Sequence, residues 1–164
     1  MVPLAVAHAT IAHERAAIVA WASAHRWTAE LDADALQLKA TAPHPVALDA
    51  DEQIVMITFV ADLAGYPALP PAWTCQRSDG TTTKAAYPAA GTIPGISGSI
   101  FHPEGVICAP WNRLAYGDRG GPHSNWTDPA NWKTVEPTAT RADTLVDMLA
   151  VLDLHLAASP GMLS

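Results

Sequence analysis

The chain has little cysteine, few basic residues and no long apolar run, and each shortage excludes something. Only nine Lys and Arg stand against sixteen Asp and Glu, a formal charge of −7. The nine are scattered, so the dense cationic footprint that grips phosphate backbones is missing, and nucleic acid is not expected as a partner. No stretch approaches the roughly 18 consecutive apolar residues that a membrane helix needs, and no membrane partner is expected. The N-terminus, Met1-Val-Pro-Leu-Ala-Val-Ala-His-Ala, lacks both a basic region and a continuous hydrophobic core. A secretory signal is therefore not expected, and the location reads as cytoplasmic. The two cysteines, Cys75 and Cys108, lie far apart in sequence. Without a secretory signal a structural disulfide is the weaker reading. Each thiol is then a small buried hydrophobe, a metal ligand or a nucleophile.

What is present is enough for a core. Hydrophobic residues make up 49% of 164, and the mean hydropathy is slightly positive, so the chain reads as globular over a single domain, residues 1–164. There is no internal repeat. High Ala with little Lys or Ile hints at a bacterial, GC-rich coding sequence.

The segment from about Leu4 to Trp27 is Ala-rich and uninterrupted by proline, with Leu4, Ile11 and Ile18 recurring at sevens and Val19 and Trp21 nearby; it predicts an amphipathic helix. Ala35 to Ala42 alternates like a strand, which Pro43-His-Pro45 is expected to stop. Gln53 to Leu63 is β-branched and aromatic and reads as the central strand. A turn over Gly65 to Pro71 leads to Ala72–Gln76, short enough for an edge strand.

Arg77 to Gly98 is a long loop or a small hairpin centred on Asp79-Gly80. Ser99 to Cys108 then holds two short apolar pairs around a turn. Ala109 to Thr138 is irregular yet carries Trp111, Trp126 and Trp132, the mark of a packed functional loop. Thr140-Arg-Ala-Asp143 resembles a capping box, and Leu145, Met148, Leu149, Leu152 and Leu156 mark one face of a closing helix ended by Ser159-Pro-Gly161. Consecutive strands flanked by helices give the α+β class: an antiparallel β-meander backed by an N-terminal and a C-terminal helix.

Several motifs, in this order, resemble the ubiquitin-conjugating enzymes. Tyr66-Pro67 with Pro70-Pro71 is similar to that family's Tyr-Pro-x-x-Pro-Pro turn. His102-Pro103 ahead of Gly105-Val-Ile-Cys108 is similar to its His-Pro-Asn and Gly-x-Ile-Cys. Trp132 and the Thr-started helix follow, and the leading helix fits, so the resemblance spans nearly the whole chain. It departs where Glu104 replaces the family's Asn, whose usual duties are loop support and oxyanion stabilisation. The Pro71–His102 and post-Cys108 segments are longer than in eukaryotic members, and two further C-terminal helices are not present. That pattern is similar to divergent bacterial members. The resemblance implies an α+β, ubiquitin-conjugating-like fold with extended loops around the cysteine. It implies three partners: an adenylating activating enzyme, a ubiquitin-like modifier and a protein target. No cofactor is expected.

In this reading Cys108 is the nucleophile that carries the modifier as a thioester and yields it to a target amine. Such a cysteine needs access, some thiolate and donors for a transient oxyanion. The plain alternative is burial, since free Cys is among the most buried residue types. Cys75, beside Trp73 and without a motif, reads as core. His102 has two readings: it braces the cysteine loop by hydrogen bonds, or it acts as a base in a Cys–His pair. His123, in Gly120-Gly-Pro-His-Ser-Asn-Trp126, is a candidate for a proton or oxyanion contact, or a solvated loop residue. Asn112, Asn125 and Asp118 are the remaining candidates for the missing Asn and for an acid that orients the amine.

His8, His13, His25 and His155 read as surface residues, and His13-Glu14 lacks the second His of a zinc-protease helix. Tyr66, Pro70 and Pro71 read as turn rigidity. Two other functions stay open: a non-catalytic module that binds a modifier or activating enzyme, and a zinc protein using Cys75, His102, Cys108 and His123.

Overall fold

The computed structural model describes residues 4–135 and 140–164. The end of the expected irregular segment, 136–138, lies outside the described residues, as do residues 1–3 and 139. Helix α1 (Leu4–His25) runs first, then strands β1 (Thr28–Asp32), β2 (Gln37–Leu48), β3 (Ile54–Asp62) and β4 (Ala72–Arg77). A two-stranded hairpin follows, β5 (Phe101–His102) and β6 (Val106–Ile107), and α2 (Leu145–Ala158) closes the chain. The four long strands pair antiparallel in sequence order, β1-β2-β3-β4. This is an α+β meander with a helix at each end.

Period-two alternation sends one face of the sheet inward. Leu38, Ala40, Ala42, Ile57, Phe59, Ala61, Trp73 and Cys75 are buried on it, while Lys39, Thr41, Thr58 and Gln76 line the open face. Rings continue the core from α1 through the sheet to the hairpin and α2. Trp27 stacks on Phe59 at 5.6 Å, Phe59 on Phe101 at 6.3 Å, and His155 meets Phe101 edge-on at 6.5 Å. Each large side chain buried this way stabilises by about 1.5–3 kcal/mol relative to exposure. On α1 the inward positions are Ala7, Ile11, Glu14, Ile18 and Ala22. Leu4 and Val19 are 59% and 56% exposed, so only part of the expected heptad is core.

Three local expectations are corrected. Strand β2 is not stopped at Pro43 but continues past Pro45 to Leu48, through a bulge. Its pairing with β1 stops at the Thr28–Thr41 pair, so the proline segment pairs with β3 alone, and a missing N–H is tolerated on an unpaired edge. Strand β1, Thr-Ala-Glu-Leu-Asp, was not anticipated, because its largely polar surface carries little hydrophobic signal. The capping box lies one turn later than expected. Thr144 Oγ1 accepts from the Asp147 amide at 3.2 Å, and the Asp147 carboxylate accepts from the Thr144 amide at 3.2 Å. Asp stands at N3, as the Thr-Asp pattern suggested, and all five apolar residues of the α2 face are buried.

The candidate thioester site

Cys108 follows β6 directly. The hairpin before it turns through His102-Pro103-Glu104-Gly105, closed by the Gly105 amide donating to the His102 carbonyl at 2.9 Å. Gly105 has φ +78°, and a Cβ there would lie 3.1 Å from Lys84 Cα, so the turn needs glycine on two counts. The Cys108 amide donates to the Ile100 carbonyl at 2.6 Å, and the Ala109 amide turns back to the Ile107 carbonyl at 3.2 Å. The cysteine therefore marks where the ladder ends. Its side chain is half-buried, whereas Cys75 is sealed in the core at 1% exposure.

Burial pushes the Cys108 thiol up to about 11. At neutral pH that leaves roughly one molecule in ten thousand as thiolate. The depressed thiol that a Cys–His pair requires is not found in the free chain, and neither histidine contributes to the shift. Cys75 is also raised, further, by full burial.

His102 Nδ1 accepts from the Glu104 amide at 3.1 Å, a bond across its own turn. That contact places the imidazole proton on Nε2 in the neutral ring. Glu104, in the position where an Asn was expected, is exposed at the tip. His123 stacks on Trp126 at 3.8 Å, and its amide donates to the Ala115 carbonyl at 3.1 Å. Its pKa is lowered, first by burial and then by the neighbouring His102. The two expected histidines are thus brought near each other, and His123 is neutral at pH 7.

The three secondary candidates separate clearly. Asn112 is fully buried. Its Oδ1 accepts from the Trp73 amide at 2.8 Å and the Leu114 amide at 3.3 Å, while Nδ2 donates to the Ile107 carbonyl at 2.8 Å and the Trp73 carbonyl at 3.3 Å. Both amide hydrogens are used, so Asn112 ties β6 to β4 and has no donor left for an oxyanion. Asp118 is exposed and sits 3.9 Å from Arg119. Asn125 is exposed too, on an open groove that it lines with Trp126, Asp128 and Asn131.

Sequence reasoning missed the residues that fasten this region. Arg113 donates through Nη1 to the carbonyls of Ala64 and Pro70 and pairs with Asp62 at 3.2 Å, while its amide donates to the Pro71 carbonyl at 3.0 Å. Trp132 Nε1 reaches the Pro67 carbonyl at 3.2 Å. The turn from Ala64 to Pro71, with its cis Tyr66–Pro67 peptide, is thereby fastened to the segment after the cysteine. Glu14 is buried on α1 and accepts from the Tyr66 hydroxyl at 2.5 Å and the Leu145 amide at 2.7 Å. It joins α1, the Tyr-Pro turn and the start of α2. Tyr66 is thus more than a rigid corner: burial first, then Glu14, raises its phenol well above the usual value. A signal for Glu14 existed, since it lies three residues after Ile11 and four before Ile18, on the buried stripe.

His155 is buried at 1% exposure rather than on the surface, and burial lowers its pKa. The zinc set does not assemble. Among the described residues no three His, Cys, Asp or Glu gather to hold a metal ion. No helix among them is long and apolar enough to cross a membrane. Compared with protein families, curated proteins and solved structures, the chain matches none.

Proposed function

We propose that this protein is a conjugating enzyme that carries a ubiquitin-like modifier as a thioester on Cys108 and passes it to an amine of a protein target. The observation that carries the reading is the placing of Cys108: half-buried, one residue past a hairpin whose tip is His102-Pro103 and which is braced by Asn112. The order of helix, four-strand meander with the Tyr-Pro turn before its last strand, cysteine hairpin and helix supports it further. In the loading step the Cys108 sulfur attacks the carbonyl of the activating enzyme's thioester, and the departing thiolate takes up the thiol proton. In the transfer step the amine nitrogen forms an amide bond and Cys108 leaves with the proton that the amine loses. In this reading the neutral His123, beside His102, accepts a proton, and His102 offers Nε2–H as a donor.

A thiol near 11 is a poor nucleophile at neutral pH, so loading requires that the activating enzyme supply a base or alter the surroundings of Cys108. The same observation favours a second reading, a non-catalytic module that binds the modifier or the activating enzyme. The two are separated by incubating the chain with activating enzyme, modifier and ATP. A reductant-sensitive adduct supports the carrier, and binding without any adduct supports the module.

A further inference from the structure

The mechanism leaves two buried imidazoles unused, His44 and His155. His155, on the inner face of α2, lies against Ile100, the residue just ahead of β5 and the cysteine hairpin. Its Nδ1 accepts from the Ile100 amide at 3.4 Å, and its Nε2 is buried with no partner among the described residues. The Ile100 carbonyl is in turn the acceptor of the Cys108 amide at 2.6 Å. One peptide unit on each side of Ile100 therefore connects the imidazole to the cysteine.

We propose that His155 is a positioning residue for Cys108, which through Ile100 holds the segment that fixes the cysteine, and which releases that segment when the ring takes up a proton. A second proton on the ring would set an N–H against the Ile100 N–H, two donors facing each other. It would also place a cation in an apolar pocket. The ionisable groups on the surrounding elements are otherwise engaged. On α2 itself Asp153 accepts from Trp27 Nε1 at 3.1 Å, and on α1 Glu14 holds Tyr66 and Leu145. On β2 His44 bonds Ser159 at 3.0 Å, and on the hairpin His102 bonds the Glu104 amide, with Glu104 itself exposed. None of them offsets the loss on His155, for which burial is the cause. Acidification therefore frees the Ile100 amide first and slackens the Cys108 pairing next. The importance of this for acyl transfer rests on Cys108 being the carrier, but the linkage itself does not.

Amide hydrogen exchange on the full chain, corrected for intrinsic rates, reads the linkage without any modifier. Between about pH 7.5 and about pH 5.5 the protection of the Cys108 and Ile100 amides should fall about tenfold, the worth of one hydrogen bond. Phe59, in the central strand, opens only with the whole chain, follows the global pH dependence set by His44 and His155 together, and should stay better protected than Cys108 and Ile100 at both pH values. His155→Gln keeps an acceptor that gains no proton, so its Cys108 protection should not vary with pH; His155→Phe should show low protection at both values. Constant Cys108 protection in the parent chain, Cys108 protection equal to that of Phe59 at both pH values, or a surviving pH dependence in His155→Gln would overturn the proposal. The parent chain alone decides if a variant fails to fold. Intact exchange behaviour with no adduct in the loading assay would sink the carrier reading and leave this linkage standing.

Discussion

The two cysteines lie in regions built by different means. Cys75 belongs to the sheet, where regular ladders and a continuous apolar face do the holding. Cys108 belongs to the segment between β4 and α2, whose described residues form a hairpin of two-residue strands and 3₁₀ turns. That segment is held by polar side chains bonded to backbone: Asn112, Arg113, Trp132, and Trp111, whose Nε1 donates to the Thr140 carbonyl at 2.7 Å. A ladder shields whatever lies inside it. Side-chain fastenings can fix a loop and still leave one thiol partly open, as a nucleophile requires.

The largest expected effect is on thiol chemistry. With iodoacetamide, Cys108 should outpace Cys75 by at least about a hundredfold, because Cys75 reacts only when the core opens. The Cys108 rate should climb with pH up to about 11, following its thiolate. Equal rates, read by peptide mass mapping, would erase the contrast between the regions.

Next comes Asn112→Ala, which strips four hydrogen bonds and leaves the Trp73 amide buried and unpaired. We expect a loss of about 3 kcal/mol in urea unfolding, together with faster alkylation of Cys108. A loss below about 1 kcal/mol, within the range of one ordinary hydrogen bond, would show that this fastening is not what holds the loop.

Glu14→Ala should cost about 2 kcal/mol, by orphaning the Leu145 amide at the start of α2 and the Tyr66 hydroxyl, and Glu14→Gln should recover about half of that. Adding Tyr66→Phe to the alanine variant should cost little more, since the hydroxyl is already without its acceptor; full additivity in a double-mutant cycle would contradict the coupling.

The smallest effect is a pH dependence of stability. His44 Nδ1 accepts from the Val46 and Ala47 amides at 3.2 and 3.1 Å, and burial lowers the pKa of both His44 and His155 below the ordinary 6.5. The unfolded chain takes up protons near 6.5 that the folded sites refuse. Stability contributed by these rings is therefore full above that pH and is lost as pH falls from 6.5 toward the lowered native values. His44→Asn should flatten part of this slope in denaturation curves, and an unchanged slope would assign it to other groups.

Much of the frame was legible because periodicity reports burial. The α1 and α2 patterns, the β-branched run of β3 and the short β4 carried their own signals. Strand β1 did not, since it alternates exposed with half-buried positions, and Pro43-His-Pro45 misled because the sequence does not show which edge lies unpaired. At the site, the hairpin and the cysteine could be placed from motifs. The polar fastenings could not: the bonds of Asn112 and Arg113 reach partners some 40 to 50 residues away along the chain, and no local pattern encodes such a pair. His155 read as a surface residue because its partner, Ile100, lies 55 residues away along the chain, just ahead of β5.

The central claim is that Cys108, and not Cys75, bears the acyl group. Intact-mass analysis after incubation with activating enzyme, modifier and ATP tests it most directly, using the parent chain, Cys108→Ala and Cys75→Ala. The account predicts an adduct of one modifier on the parent and on Cys75→Ala, removed by thiol reductant and absent from Cys108→Ala. An adduct on Cys108→Ala equal to that on the parent would contradict it.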